Sequence, residues 1–81
     1  MVIPPNAAKE IRRLSQTTRH RILEAIAELS SNPRPRGCKK LRGKKNEYRI
    51  RVGRYRVVYG VDDVETKVVI LHCVHRRNAY R

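Results

Sequence analysis

The chain predicts an α+β fold, a two-helix hairpin packed on a small antiparallel sheet of three to four strands. Three observations carry that prediction. Apolar residues recur at helical spacing up to Leu29 and alternate after Tyr48. A Gly53-Arg54 pair divides two alternating runs, and Gly in the first position of a two-residue loop suits a type II′ hairpin turn. One face of that hairpin is apolar throughout, so it has to be covered, and helices segregated from an antiparallel sheet are what cover it.

Val2 and Ile3 form a short apolar piece stopped by Pro4 and Pro5, which reads as the end of an edge strand. Asn6 is the expected N-cap of a first helix of about two turns, in which Ala8, Ile11 and Leu14 recur at steps of three. Ser15 to Thr18 breaks it. A second helix is expected from Thr18 to Leu29, its apolar stripe made of Ile22, Leu23, Ile26, Ala27 and Leu29. A tight connection makes the two an antiparallel pair. Ser30 to Gly37, with Pro33 and Pro35, is a loop, and a basic run follows it: Lys39, Lys40, Arg42, Lys44 and Lys45. After the hairpin, Asp62 to Lys67 reads as a turn and Val68 to Val74 as a third, mostly apolar strand. Neither a repeat nor a second domain is visible, so residues 1–81 are read as one domain.

The hairpin from Tyr48 to Tyr59, YRIRVGRYRVVY, is where chemistry becomes legible. A two-residue loop sets Val52 against Tyr55, Arg51 against Arg56, Ile50 against Val57, Arg49 against Val58 and Tyr48 against Tyr59. Because side chains alternate between faces, Arg49, Arg51 and Arg56 share one face and Tyr48, Ile50, Val52, Tyr55, Val57 and Tyr59 share the other. Like charges directly across a strand pair destabilise it. The hairpin itself contains no carboxylate, so this face is expected to take an external anion, and phosphate fits a guanidinium best.

Composition points the same way. Lys and Arg number 20 against 7 Asp and Glu, a formal charge of +13 on 81 residues. Such a chain attracts polyanions and associates with them quickly at low salt. An acidic membrane is a poorer match, because the chain has no Trp or Phe to bury from an amphipathic helix. Cys38 and Cys73 make neither a CxxC nor a disulfide framework and are expected to stay reduced. Charges begin at Lys9 and recur every few residues, which leaves no signal peptide or membrane span in the first twenty positions. The protein is expected to be cytoplasmic. His72, Cys73 and His75 invite a zinc reading, but residues three apart on a strand point to opposite faces, so no metal site is expected. No Gly-rich phosphate loop, nucleophilic triad or paired-carboxylate site stands out, and no cofactor is expected.

The C-terminal segment His75, Arg76, Arg77, Asn78, Ala79, Tyr80, Arg81 follows the third strand directly. A tyrosine next to the chain end has little to do in a core, whereas aromatic and guanidinium planes hold unstacked RNA bases. Taken with Lys39-Lys40-Leu41-Arg42-Gly43 and the hairpin, this segment closely resembles the RelE/ParE superfamily of toxins, and its C-terminal part resembles RelE more than ParE. The resemblance runs from Ala8 to Arg81. It implies a RelE-like fold and an endoribonuclease that cuts messenger RNA in the ribosomal A site, against 16S ribosomal RNA, and is inhibited by a cognate antitoxin.

By the same resemblance Arg49, Arg51 and Arg56 correspond to basic catalytic and phosphate-binding positions, Arg76 or Arg77 to the leaving-group end, and Tyr80 to a stacking tyrosine. Lys39, Lys40, Arg42, Lys44 and Lys45 would contact the RNA backbone. Some relatives carry lysines where this chain has Arg49 and Arg51. Arginine does not give up its proton near neutral pH, so base duty is assigned to His75 or to Tyr80. A ParE-like gyrase poison and a non-catalytic RNA-binding module are the competing readings.

Overall fold

The computed structural model describes residues 1–78. Helix α1 (Pro5–Arg12) and helix α2 (Gln16–Ser31) precede strands β1 (Lys39–Lys40), β2 (Glu47–Val52), β3 (Tyr55–Asp62) and β4 (Lys67–His75), and a 3₁₀ turn at Arg76–Asn78 follows. The strands form one antiparallel sheet in the order β1-β2-β3-β4. This is the predicted α+β fold.

Both helices begin earlier than their apolar patterns suggest. Pro5 occupies the first turn of α1, where a fixed φ and a missing N–H cost nothing, and Asn6 therefore lies inside the helix instead of capping it. In α2 the cap is Ser15, whose hydroxyl accepts the Thr18 N–H at 3.3 Å. Ile22, Ile26 and Leu29 are the buried line of α2. Leu23 and Ala27, expected in that stripe, are exposed, because a helix lying on a sheet buries one i, i+4, i+7 line and turns the next residue about 100° away.

The hairpin pairs as its sequence requires, from Tyr48 opposite Tyr59 to Val52 opposite Tyr55. Of the two loop residues only Gly53 has positive φ, at 61°, which is the type II′ geometry. The fourth strand differs from expectation. It is the basic segment Lys39–Lys40, pairing with Arg49 and Tyr48. Val2 contributes only a single parallel bridge to Val69, through Val2 N–H to Val68 O at 2.8 Å and Ile70 N–H to Val2 O at 2.9 Å.

On β4 the register shifts. Tyr59 pairs with Ile70 but Val58 pairs with His72, so Leu71 is an extra residue on that strand. Val68 and Ile70 face the helices before this bulge, and Cys73 and His75 face them after it. The free edge of β4 is partly closed by α1, where Glu10 Oε1 accepts the Cys73 N–H at 2.9 Å.

Between sheet and helices lie Ile11, Ile22, Ile26, Leu29, Val57 and Tyr59, all buried. Each aliphatic chain taken fully from water stabilises by about 1.5–3 kcal/mol. Tyr59 adds a polar anchor, its hydroxyl donating to Pro33 O at 2.7 Å. Its ring stacks on Tyr48 with centroids 5.9 Å apart. Arg34 fastens the same loop from outside, with a two-pronged contact to Asp63 at 3.1 and 2.8 Å and an Nε donation to Tyr48 Oη at 3.0 Å. Its guanidinium holds the Asp63 carboxyl below the usual range. No helix of the described residues is long and apolar enough to cross a membrane.

Candidate functional site

The face of the sheet turned away from the helices is built in rows set by the strand register. One row runs Arg51, Arg56, Val74; the next runs Lys39, Arg49, Val58, His72; the third runs Glu47, Gly60, Val69. Residues directly opposite one another on an antiparallel pair have Cβ atoms about 4.5–5.5 Å apart. Arg49, Arg51 and Arg56 therefore stand in two adjoining rows, Arg51 exposed and the other two half-buried. Their order along the chain put them on one face, and the hairpin turn brought Arg51 opposite Arg56.

The basic run divides. Lys39 joins the Arg49 row, whereas Lys40 stands opposite Tyr48 on the helix side. Arg42, Lys44 and Lys45 are exposed in the loop that leads to β2. Lys45 reaches the far end of the open face, where it lines a cavity of about 470 Å³ with Asn46, Glu47, Gly60, Asp62, Val69 and Leu71. The open face is thus basic toward the hairpin tip and mixed toward the other end.

The C-terminal residues gather at the tip. The Arg76 N–H donates to Arg54 O at 2.8 Å, and Arg54, His75, Arg76 and Arg77 line a cavity of about 370 Å³. On the helix side of the same tip, Arg54 shares a second cavity of about 330 Å³ with Thr18 and Arg21. Arg54 and Arg21 were not singled out by sequence, since a turn arginine and a helix-surface arginine carry no pattern of their own. Tyr80 lies outside the described residues.

His75 is not on the arginine face. It pairs with Tyr55 on the helix side, their rings meeting edge to face at 5.3 Å, and its Nδ1 accepts the Arg77 N–H at 3.2 Å. That bond engages the lone pair a general base would use. His72, considered in the sequence only for zinc, is the histidine on the open face. The two do lie on opposite faces, as their spacing requires. Cys73 is buried among apolar residues, and burial, with Glu10 nearby, pushes its thiol up to about 11.

An open sheet face with arginines in adjoining rows, under two helices and ending in an arginine-rich turn, defines a small basic toxin domain of the RelE/ParE superfamily. The family described as the ParE toxin of the type II toxin–antitoxin system parDE matches residues 2–80. The chain belongs to that family, and its structure is RelE-like. It is similar to the RelE–RelB complex of Pyrococcus horikoshii OT3, with 32% identity, 95% of this chain and 93% of that chain covered and a TM-score of 0.82. For the RelBE2 toxin–antitoxin complex of Mycobacterium tuberculosis the values are 33%, 91%, 93% and 0.78. For the isolated RelE toxin of E. coli they are 30%, 91%, 80% and 0.80. A comparison with curated proteins finds no match.

Proposed function

We propose that this toxin is a ribosome-dependent endoribonuclease that cuts messenger RNA in the A site without a metal or other cofactor. The observation that carries the reading is the pair of arginine-bearing rows on the open face. In 2′-oxygen attack on a phosphodiester, negative charge grows on the non-bridging oxygens, and the planar guanidinium fork matches that geometry. Arg49, Arg51 and Arg56 form the clamp. Arg76 or Arg77, at the tip, is assigned by the family resemblance to the leaving-group end, and Tyr80 is proposed to stack on a base. Lys39, Lys40, Arg42, Lys44 and Lys45 hold the backbone of messenger and 16S ribosomal RNA, and the protein acts in the cytoplasm, where ribosomes are.

Two of these solved relatives are antitoxin–toxin complexes, and by that likeness a cognate antitoxin is proposed here too. An acidic, partly disordered segment with an amphipathic helix would match a surface of this charge and be ordered by it.

The family description names ParE, which favours a second reading, poisoning of DNA gyrase. Primer-extension mapping of a messenger incubated with translating ribosomes separates the two. The ribonuclease reading expects cuts confined to the A-site codon, with Arg56→Ala at least 100-fold slower. Broken DNA with an intact messenger pool would select the gyrase reading. RNA binding with neither product would leave a non-catalytic module.

A further inference from the structure

Arginines can hold the charge of the reaction, yet they leave the 2′-hydroxyl proton without an acceptor. The open-face rows of the described residues contain one histidine, His72. It stands directly across from Val58, whose other cross-strand neighbour is Arg49, and it is diagonal to Arg56. Direct and diagonal neighbours on a sheet face are separated by roughly 5 Å and 7–8 Å respectively. Val58 is therefore a short apolar floor with Arg49 on one side, His72 on the other and Arg56 two residues back along the strand. The His72 side chain is 61% exposed, so a ligand on this face can reach it.

The ring has an orienting partner. Glu10 Oε1, fixed by the Cys73 N–H at 2.9 Å, lies 3.8 Å from His72 Nδ1. A carboxylate on that side favours the neutral tautomer with its proton on Nδ1 and its lone pair on Nε2. The distance is longer than a hydrogen bond, and such contacts commonly tighten once substrate is bound. His75 shows the reverse arrangement: its Nδ1 accepts from Arg77, which leaves Nε2 carrying the proton.

We propose that His72, positioned by Glu10, accepts the 2′-hydroxyl proton in the cleavage reaction; this rests on the ribonuclease reading above. The 2′-oxygen bonds to phosphorus as its proton passes to His72 Nε2. The P–O5′ bond breaks to leave a 2′,3′-cyclic phosphate, and the 5′-oxygen takes a proton from water. The charged groups on this part of the face are Glu10 from α1, Arg49 from β2 beyond Val58, and Arg56 from β3.

Single-turnover cleavage on ribosomes programmed with one A-site codon, followed from pH 5.5 to 8.5, tests the proposal. His72→Gln is expected to slow the chemical step by roughly 10²–10³-fold, leave half-saturation within twofold, and abolish the tenfold-per-unit rise of rate at acid pH. Free imidazole should restore part of the rate to His72→Ala, which a packing role would not allow. Glu10→Gln keeps an acceptor for the Cys73 N–H and should slow the step about tenfold. Cleavage by His72→Gln within threefold of the parent, or a slowed reaction that keeps its acid limb, overturns the role of His72 alone. A parent protein that cuts nothing on ribosomes overturns the ribonuclease reading and this one with it.

Discussion

Tyr59 shows how one side chain can tie together segments far apart in sequence. It is fully buried, yet its hydroxyl reaches Pro33 O, so burial stabilises the ring while the polar end stays satisfied. Burial pushes the ionisation of that hydroxyl upward. Cys73, 3% exposed, behaves likewise, with its thiol raised from 9.0 to about 11. A group whose folded pKa lies above its unfolded value adds stability that is complete below the unfolded value and disappears as pH rises through the folded one. The thermal midpoint should therefore hold up to about pH 9 and fall toward pH 11. Cys73→Val, of similar size and unable to ionise, should flatten part of that fall in scanning calorimetry across this range. An unchanged slope would mean that the thiol is not the group responsible.

At the scale of elements, the hairpin turn decides whether the arginines converge. Gly53 has φ of 61° and nothing within 4 Å of where a Cβ would stand. A substitution there is opposed by backbone strain alone. Gly53→Val should cost roughly 1–2 kcal/mol, measured by urea unfolding, and Gly53→Asn clearly less, because asparagine tolerates positive φ. Equal losses in both would point to crowding instead. β1 depends on its neighbour in a different way. Lys39 and Lys40 are both exposed and held by backbone pairing to β2, with Leu41 N–H to Glu47 O at 2.9 Å closing the end. Such a strand has no alternation for a reader to find, and a run of lysines in sequence looks like a loop.

For the whole molecule, charge is the governing quantity. Thirteen net positive charges sit on a body with a radius of gyration of 11.8 Å, comparable with the Debye length of about 10 Å at 0.1 M salt. Self-repulsion then acts across most of the fold, and at 1 M, where the screening length is about 3 Å, it is largely removed. The melting temperature is expected to rise by several degrees between 0.05 and 0.5 M sodium chloride. A fall over that range would show that attractive pairs such as Arg34–Asp63 outweigh the repulsion. The same field, met by an acidic or phosphate-bearing partner, becomes an association force. A partner that binds only the folded form stabilises it further by mass action.

The amino-acid order alone determined the hairpin register and the arginine face, because a two-residue Gly53-Arg54 loop leaves one pairing and strand alternation does the rest. It also determined the α+β layering, and on α2 it marked a stripe of which Ile22, Ile26 and Leu29 are buried while Leu23 and Ala27 are exposed. Only the tertiary structure decided which histidine faces the arginines. Uninterrupted alternation from Val68 and Ile70 would have carried His72 to the helix side and His75 to the open face. The extra residue at Leu71 inverts the two, since one inserted residue in a strand exchanges its faces from that point on. Nothing in the run VVILHCVH marks the insertion. It arises where β4 meets β3 and where α1 places Glu10 against the strand edge, contacts between residues far apart in the chain.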